Sequence, residues 1–401
     1  MRIAEINSCN FGSTGNIMLG IAETARESGM QAVCCVPESR DNLKKTVKEQ
    51  ILIGSRLSRN IHLKMAELTG LNGCFQKAAT RSFLRQLKAY NPDVIHMHNL
   101  HNCYINLDLL FRFIKENDIK AVWTLHDCWS FTGQCAYFTL NGCNKWKTGC
   151  GECTQFGRYP AARVDKTAKM FKLKKQWFCG VKDMTIVTPS EWLADLAKQS
   201  FLKDYPIKVI NNGIDLEIFK PTDSDFRKQH GIANDVFLLL GVAFGWEKRK
   251  GLDAFLELYE KLPEDKFKIV LVGTDEEVDK KLPNGIVSIH RTQNQTELAK
   301  IYTAADLFVN PTLEENYPTV NMESIACGTP VLTFNTGGSG EMLNTKTGRV
   351  VPYGDTKAMI DEVLRIEKEK SFSAADCLEH AESFCKAERF KEYIKLFGEK
   401  E

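Results

Sequence analysis

The chain has 401 residues, of which 43% are hydrophobic, and its 53 basic and 51 acidic residues leave a net charge of +2. A chain of this length can bury a large core and is expected to divide into two domains. The near-neutral charge gives no general attraction to nucleic acid, no apolar run approaches the ~18 residues of a membrane span, and the amino terminus lacks the apolar stretch of an export signal. We therefore predict a cytoplasmic protein of two domains.

Strand-like and helix-like segments alternate along the chain. The first series of predicted strands is "MRIAEIN", "QAVCCVP", "DVIHMH", "KAVWTLHD", "MTIVTPS" and "KVINNG". The second series is "VFLLLGVAF", "KIVLVG", "GIVSIHR", "DLFVNP" and "TPVLTF", and helical patterns such as "GLDAFLELYEKL" separate the strands. This alternation predicts an α/β protein with two Rossmann-like, doubly wound parallel-sheet domains. Ligands of such domains lie at the carboxyl ends of the strands, which predicts two domains facing a cleft.

The polar stretch "DLEIFKPTDSDFRKQHGIAND" separates the two series and indicates a linker. We predict an N-terminal domain over residues 1–215, with a cysteine-rich insertion near 128–153. A second domain follows over residues 216–385. Residues 386–401 are predicted to form a C-terminal helix that packs back on the first domain.

A short glycine-containing stretch follows the first predicted strand. Gly12, Ser13, Thr14 and Gly15 lie there, before a helix that we expect to begin near Asn16. Small residues at this position let a ligand approach the backbone, but an ordinary strand-to-helix turn fits the pattern equally well.

His126 ends the predicted strand "AVWTLHD", where functional side chains of parallel sheets usually lie, although a lone histidine can also be purely structural. The following loop, "HDCWSFTGQCAYFTLNGCNKWKTGCGEC", spaces Cys135, Cys143, Cys150 and Cys153 as C-x7-C-x6-C-x2-C. Four thiols this close favour a structural tetrahedral zinc, while free thiols and disulfides stay open as alternatives.

Two segments of the first domain interleave basic and apolar residues. They are "GSRLSRNIHLKMAELTGLNGCFQKAATRSFLRQLKAY" and "DKTAKMFKLKKQWFCG". Basic amphipathic segments of this kind can lie on anionic bilayers. Helices with a solvated basic face would give the same pattern.

Candidate anion ligands follow two strands of the second domain. Lys248, Arg249 and Lys250 lie between strand and helix, where cations would meet a diphosphate. The turn "NTGGSGE", which contains Gly338, follows "TPVLTF" at the same predicted sheet edge.

The stretch "EENYPTVNMESIACGTPVLTF" predicts a helix from about Thr319 to Cys327 and a buried strand from Val331 to Phe334. The helix start favours an anion, most often phosphate, beside Thr319 and Val320. Glu323 lies on the same face one turn later, where a carboxylate could accept two hydrogen bonds from a sugar diol. A solvated carboxylate is the simpler alternative for a lone glutamate.

These motifs together resemble a known family. The spacing Glu315-x7-Glu323 before "ACGTPV", the lysine before Gly251, "VTPSEWL", "NNGIDLEIFKP" and "PDVIHMHN" are similar in kind and order to the retaining family 4 glycosyltransferases. The resemblance covers nearly the whole chain and implies their fold of two Rossmann-like domains, the B-type glycosyltransferase fold.

The resemblance implies roles for individual positions. Glu323 would accept the ribose hydroxyls of a nucleotide sugar, and Glu315 would hold the donor sugar near its 3- and 4-hydroxyls. Thr319 and Val320 would bind the diphosphate, and Lys250 would neutralise the leaving phosphate.

Further implied positions are His126 beside the reacting sugar, and the stretch from Gly12 to Gly15 bordering donor and acceptor. The segment "SIHRTQNQ" around Arg291 is predicted to line the base pocket. Many family members have an arginine in a Gly-Arg-Leu context where this chain has "GVAFGWE", so Arg249 or Lys248 would substitute.

The implied reaction is retaining transfer of a hexose from a UDP- or GDP-type sugar to an acceptor hydroxyl. We expect no catalytic metal, because no Asp-x-Asp follows a strand. The reaction is expected to assemble a surface polysaccharide or glycolipid on a lipid-linked acceptor. The protein is expected to be cytoplasmic or peripheral on the inner face of the plasma membrane. A sugar-nucleotide epimerase of the same fold and a non-enzymatic module binding zinc or nucleic acid are the alternatives.

Overall fold

A computed structural model describes residues 1–399 of the chain, and it divides into two compact units. Unit 1 comprises Met1–Asn211 together with the chain from Ala387 onward, and unit 2 comprises Asn212–Lys386. The sequence placed the boundary at 215, and the last two residues of the predicted C-terminal helix, 400 and 401, lie outside the described residues.

Unit 1 contains a seven-stranded parallel sheet in the order β3-β2-β1-β4-β5-β6-β7. Its strands are β1 (Arg2–Ile6), β2 (Gln31–Pro37), β3 (Gln50–Ile53), β4 (Val94–Met97), β5 (Lys120–Thr124), β6 (Met184–Thr188) and β7 (Ile207–Val209). Its helices are α1 (Gly12–Glu27), α2 (Arg56–Thr69), α3 (Lys77–Tyr90), α4 (Leu107–Glu116), α5 (Thr167–Phe178) and α6 (Glu191–Lys198).

Unit 2 contains a six-stranded parallel sheet in the order β10-β9-β8-β11-β12-β13. Its strands are β8 (Phe237–Val242), β9 (Phe267–Val272), β10 (Val287–Ile289), β11 (Leu307–Asn310), β12 (Val331–Phe334) and β13 (Gly348–Val351). The helices are α7 (Phe226–Gln229), α8 (Leu252–Lys261), α9 (Glu276–Asp279), α10 (Gln295–Ala304), α11 (Thr319–Ala326), α12 (Thr356–Glu369) and α13 (Ala374–Ala381), and α14 (Lys386–Gly398) ends the described chain.

The prediction of two doubly wound parallel-sheet domains is confirmed. The strands are buried on both faces, as the burial patterns of β2 and β6 show, because helices cover both sides of each sheet. Strand order reverses between β1 and β4 in unit 1 and between β8 and β11 in unit 2. Ligands of open α/β sheets bind beside such reversal points, at the carboxyl ends of the strands.

The helix α14 completes the core of unit 1. Its side chains Phe390, Tyr393, Leu396 and Phe397 are buried in one cluster with residues of α1 and β2. Gly20 of α1 is needed for this packing, since a Cβ atom there would come within 2.1 Å of the Phe390 ring.

Candidate active site

The strand reversal in unit 2 brings Lys250 and Glu315 together. Lys250 ends a short 3-10 turn after β8, and Glu315 follows β11. Their Nζ and Oε2 atoms are 2.6 Å apart, with 20% and 16% of the side chains exposed. Burial raises the pKa of Glu315, but the Lys250 ammonium more than offsets this and holds that pKa below its ordinary value. Glu315 is therefore ionised at neutral pH.

Close backbone contact fixes the turn that bears Lys250. Gly251 has a φ of +78°, and a Cβ atom there would lie 2.1 Å from the carbonyl oxygen of Pro311. Only glycine combines this backbone conformation with so close an approach. The β8 turn and the segment after β11 are thereby held against each other.

The turn after β12 packs on the same segment. Gly337 would place a Cβ atom 1.8 Å from the carbonyl oxygen of Glu315, and the N–H of Gly338 donates to the Asn316 carbonyl over 2.7 Å. The hydroxyls of Thr336 and Ser339 are buried without a hydrogen-bond partner. The N–H of Gly338 is therefore already hydrogen-bonded within the protein, whereas the hydroxyls of Thr336 and Ser339 can bind a polar ligand.

The helix α11 begins at Thr319, with Pro318 before it and no side chain capping its first N–H groups. Glu323 lies one turn on, is half-buried, and its Oε2 accepts from the Tyr302 hydroxyl over 3.3 Å. Burial raises the pKa of Glu323 to about 7, although hydrogen bonds from Thr319 and Tyr302 oppose the rise. The sequence did not indicate Tyr302, which lies in the apolar part of a helical pattern.

The remaining predicted donor residues of unit 2 differ in placement. The Nη1 of Arg249 lies 3.3 Å from the carbonyl oxygen of Glu314, so its side chain points to the segment that bears Glu315. Lys248 is exposed. Arg291 is exposed and lies two residues beyond β10, the edge strand of the sheet. Within residues 1–399 no contact links it to the Lys250–Glu315 pair.

In unit 1 the stretch from Gly12 to Gly15 is helical. The expected start of the helix near Asn16 was wrong, because α1 begins at Gly12. A Cβ atom on Gly15 would meet the backbone of Asn10 at 2.6 Å, which explains a glycine inside the first turn. Gly12, with a φ of +67°, provides the change of direction into the helix.

His126 belongs to a buried chain of imidazoles at the strand reversal of unit 1. Its Nε2 lies 3.0 Å from Nδ1 of His98, and His98 Nε2 lies 3.0 Å from the Glu5 carboxylate. The same carboxylate lies 2.9 Å from Nδ1 of His96. Burial lowers the pKa of His98 and of His126 to about 3 and raises the pKa of Glu5. His126 is therefore a neutral hydrogen-bonding group at neutral pH.

Sequence reasoning missed Glu5 and His98. The available signal was alternation with apolar residues. In "VIHMH", His96 of β4 and His98, directly after β4, are two residues apart, and Glu5 is the register partner of His96. Glu5, His96 and His98 also form the one group of at least three histidine, cysteine, aspartate or glutamate residues within 1–399 whose ligand atoms all lie within 4.8 Å.

The cysteine-rich loop lies between β5 and α5, and all fourteen cysteines of the chain are outside disulfides in the structure. The N–H groups of Gly133 and Gln155 donate to the sulfurs of Cys150 and Cys153 over 3.1 and 3.4 Å. Burial raises the pKa of Cys135 to about 12. The structure does not bring three of these sulfurs mutually within 4.8 Å, so zinc binding stays a prediction.

Lys174 anchors this loop. Its side chain is fully buried, its Nζ donates to the carbonyls of Trp129 and Thr132 over 2.5 and 3.1 Å, and it lies 3.4 Å from the Trp129 ring centre. Burial lowers the pKa of Lys174 to about 7, and the neighbouring Cys135, Cys150 and Asp127 oppose this shift.

The two basic segments differ in exposure. The second one forms α5, which buries its apolar residues Met170, Phe171, Trp177 and Phe178 in the core. Its Lys169, Lys172 and Lys175 are exposed, so α5 is a helix with a solvated basic face, one of the two alternatives that the sequence left open. The first forms α2 and α3, and α2 exposes several large apolar side chains. Within residues 1–399 no helix has the length and apolar character needed to cross a bilayer.

Two family profiles match the chain. The profile described as Glycosyltransferase Family 4 matches residues 15–218, and that described as Glycosyl transferases group 1 matches residues 234–369. Between them they match most of each unit.

Curated relatives are similar at moderate identity. A putative colanic acid biosynthesis glycosyl transferase, WcaC, of Escherichia coli is 27% identical over 270 residues, which is 65% of this chain and 64% of that protein. A D-inositol 3-phosphate glycosyltransferase of Mycobacteroides abscessus is 29% identical over 206 residues, covering 48% of this chain and 46% of that protein. The matches thus span from about half to just under two thirds of these relatives.

Solved structures share the fold over the full length. A sucrose-phosphate synthase from Thermosynechococcus elongatus has a TM-score of 0.71 and 17% identity, covering 99% of this chain and 98% of the other. Anabaena Alr3699/HepE in complex with UDP-glucose gives a TM-score of 0.67 at 15% identity, again covering 99% and 98%. WaaG, a glycosyltransferase involved in lipopolysaccharide biosynthesis, gives 0.65 at 16%, covering 99% and 100%.

Proposed function

Because the chain belongs to the family 4 glycosyltransferases, we propose that it transfers a hexose from a nucleotide diphosphate sugar to an acceptor hydroxyl, with retention at the anomeric carbon. The observation that supports this best is the Lys250–Glu315 ion pair beside the start of α11, at the strand reversal of unit 2.

The groups at this reversal suit the charges of the reaction. Negative charge develops on the leaving diphosphate, and cations or amide groups already fixed in place stabilise it without reorganisation. Lys250 is such a cation, and the first N–H groups of α11, at Thr319 and Val320, provide the positive end of a helix. Arg249 adds a second cation, whose guanidinium group suits phosphate oxygens. No protein-bound metal is required in this scheme.

Glu315 is placed to hold the sugar. One oxygen is paired with Lys250 and the other accepts from the N–H of Asn316 over 3.1 Å, so the carboxylate is immobilised. An ionised carboxylate accepts hydrogen bonds from sugar hydroxyls. We assign it positioning of the donor sugar at its 3- and 4-hydroxyls, and no nucleophilic role.

Glu323 would receive the ribose. It shares a helix face with Thr319, so a diphosphate at the helix start and a diol one turn later fit a single nucleotide. Binding of two hydroxyls favours the carboxylate over the carboxylic acid. The nucleotide should therefore draw Glu323 to the ionised state, although burial has raised its pKa to about 7.

His126 would contribute a neutral hydrogen-bonding imidazole to the reacting sugar, which is the role that the family resemblance gives it. The acceptor would be a glycan or lipid-linked glycan of a surface polysaccharide or glycolipid, assembled at the cytoplasmic face of the membrane. WcaC and the WaaG structure, whose names refer to colanic acid and lipopolysaccharide biosynthesis, support this context.

Thermal stabilisation by UDP-, GDP-, dTDP- and ADP-sugars tests the proposal. A ligand present at about 100 times its Kd adds about 2.7 kcal/mol to the stability of the protein. We expect one nucleotide series, of the UDP or GDP type, to stabilise the wild type and Glu323→Ala to lose that response. Glu314→Ala, which alters the neighbouring carboxylate outside the proposed contacts, should keep it. If no nucleotide sugar stabilises the wild type at millimolar concentration, the transferase proposal fails.

A further inference from the structure

Unit 1 contains a cavity of about 390 Å³ beside the carboxyl ends of β1 and β2. Three arginines, Arg40, Arg56 and Arg59, contribute to its wall, and Asp41 is its one acidic lining residue. The other lining residues are small or amide side chains, with Phe11 as the one aromatic group. The cavity therefore combines a concave shape with guanidinium donors.

The charges in the cavity are unbalanced toward positive. The carboxylate of Asp41 is paired with Lys44 over 2.7 Å and also interacts electrostatically with Arg40 and Arg56, so one carboxylate faces three guanidinium groups and a lysine. Glu38 lies nearby, and its carboxylate accepts the backbone N–H of Arg56 over 3.3 Å. The Nε of Arg59 is buried without a hydrogen-bond partner. A buried donor without an acceptor costs free energy, so an anion that accepts from it would be stabilised.

The cavity is connected by a chain of contacts within unit 1 to Asp127, the residue that follows His126. Asn102, in the cavity wall, accepts from the Tyr159 hydroxyl over 3.2 Å, and the same hydroxyl lies 3.0 Å from His101 Nδ1. His101 Nε2 is in turn 3.3 Å from the carboxylate of Asp127, the neighbour of His126. A molecule held by the arginines would thus lie on the same loop system as the proposed site.

The loop beside the cavity is strained. Asn102 and Cys103 are consecutive non-glycine residues with φ values of +75° and +54°. Such conformations concentrate at functional sites. Asn102 is one of the residues that line the cavity.

The helix α2 presents an apolar stripe to solvent next to the arginines. Leu57, Ile61, Met65 and Leu68 are 73%, 51%, 39% and 51% exposed, and their spacing of four, four and three places them on one face. The first turn of α2 contacts the start of α3, since Ser58 donates to Gln76 over 2.9 Å.

Cations accompany the stripe, which favours an anionic bilayer as its partner. Lys64 lies among the apolar residues of α2, and α3 exposes basic residues with the same four, four, three spacing, namely Lys77, Arg81, Arg85 and Lys88. Apolar side chains inserted at a headgroup layer, with cations beside them, bind anionic lipid surfaces.

We propose that the arginine cavity binds the phosphate group of a lipid-carried acceptor, with α2 seated on the bilayer that holds the lipid. Guanidinium groups bind phosphate by paired, charge-assisted hydrogen bonds, and three of them fit a phosphate monoester or diphosphate. This inference rests on the proposed function only in naming the bound molecule an acceptor.

Vesicle binding tests the inference without any nucleotide sugar. We would compare flotation with phosphatidylcholine vesicles that contain either phosphatidic acid, which exposes a phosphate monoester, or phosphatidylserine, which carries charge on a different headgroup. The wild type should bind the phosphatidic acid vesicles at least about tenfold more tightly. The double variant Arg56→Gln/Arg59→Gln should lose that preference, whereas Arg112→Gln, which removes an exposed arginine of α4, should keep it.

Two further measurements separate the phosphate from the lipid. Inorganic phosphate should protect the wild type, but not the double variant, against thermal unfolding. Leu57→Gln/Ile61→Gln should lose vesicle binding and keep the phosphate response. A phosphate response without vesicle binding would overturn the lipid source and leave a soluble phosphate ligand.

Equal binding of the wild type to both kinds of vesicle, with no response to phosphate, would overturn the proposal altogether. These outcomes are independent of the donor test, because that test depends on Glu323 in unit 2. Failure there with success here would leave a phosphate-binding protein without the proposed transferase activity.

Discussion

Glu323 lowers the folding stability of the protein above about pH 5, and the same residue is proposed to bind the nucleotide. Its folded pKa of about 7 lies above the ordinary value of 4.5 for a glutamate. Between these two values the folded state holds a proton that the unfolded state has released. Stability therefore falls as pH rises through this window, and by no more than about 3 kcal/mol.

Replacing Glu323 with glutamine should remove that cost. Glu323→Gln should match the wild type in thermal stability near pH 5 and exceed it increasingly up to about pH 8. Melting curves over this range measure the difference, and Glu314→Gln serves as a control. A difference between wild type and Glu323→Gln that does not grow with pH would contradict the pKa assignment.

Glu5 should determine which ring nitrogen of His126 carries the proton. When Glu5 is ionised, it accepts an N–H from His98 Nε2, so His98 Nδ1 must accept and His126 Nε2 must donate. In Glu5→Gln, the new NH₂ group can donate to His98 Nε2, which reverses both bonds and moves the proton of His126 to Nδ1.

Long-range ¹H–¹⁵N spectra of histidine-labelled protein measure these tautomers. We expect a single Nε2-protonated form of His126 in the wild type and a mixture in Glu5→Gln, with the His126 signals identified by their loss in His126→Gln. Tyr393→Phe, which changes the far end of the same network beyond Thr124 and His96, should leave His126 unchanged. The same tautomer in wild type and Glu5→Gln would show that Glu5 does not act through His98.

At the scale of elements, periodicity and turn chemistry predicted most of the fold. The strand Val331–Phe334 and the helix start at Thr319 were predicted to the residue, because Pro318 and Gly328 bound them. Two strands, β3 and β13, were missed. β3 is short and lies at the sheet edge, and β13 interrupts its apolar pattern with an arginine.

The sequence could not separate surface helices from core helices when both contain lysine. α5 and α2 both interleave basic and apolar residues, yet α5 buries even Lys174, whose ammonium binds two backbone carbonyls of a loop far away in sequence. Composition gives the pattern of one helix, whereas burial depends on what packs against it. For the same reason the approach of Glu315 to Lys250 follows from strand order and could be expected only by resemblance.

The cysteine loop is the element whose chemistry most needs measurement. We retain the prediction that Cys135, Cys143, Cys150 and Cys153 bind one structural zinc ion. Four thiolates on zinc would leave a negative centre close to the buried Lys174, which would offset the cost of that cation.

Metal analysis of protein purified without chelator should give one zinc per chain. Cys150→Ser should lose it, and Cys377→Ser, which changes a buried thiol of α13, should retain it. Zinc that remains bound in Cys150→Ser would indicate that the site is instead formed by Glu5, His96 and His98. A wild type without zinc would contradict the prediction.

At the scale of the whole molecule, unit 1 depends on a segment that follows unit 2. The buried residues of α14 are part of its core, and each large apolar side chain contributes on the order of 2 kcal/mol when buried. A chain that ends at Lys386 should therefore lower the unfolding temperature of unit 1 and leave that of unit 2 nearly unchanged.

Scanning calorimetry can resolve the two transitions. Phe390→Ala should lower the temperature of the unit 1 transition by an amount that corresponds to a loss of about 3–5 kcal/mol of stability, as for other buried phenylalanines. Lys395→Ala, on the exposed face of α14, should have little effect. An unchanged unfolding temperature of unit 1 in the shortened chain would mean that α14 adds no stability to unit 1.

Because the chain passes from unit 1 to unit 2 and then returns to unit 1, the two units can be completed only in a fixed order during synthesis. Residues 212–386 form a contiguous unit that can fold as soon as they leave the ribosome. The domain that is begun first is completed last, when Phe390 reaches Gly20 of α1. Until that moment an apolar face of the nascent sheet and of α1 stays uncovered, and a ribosome stalled near residue 386 would hold a chain with one finished domain and one open to chaperones and proteases.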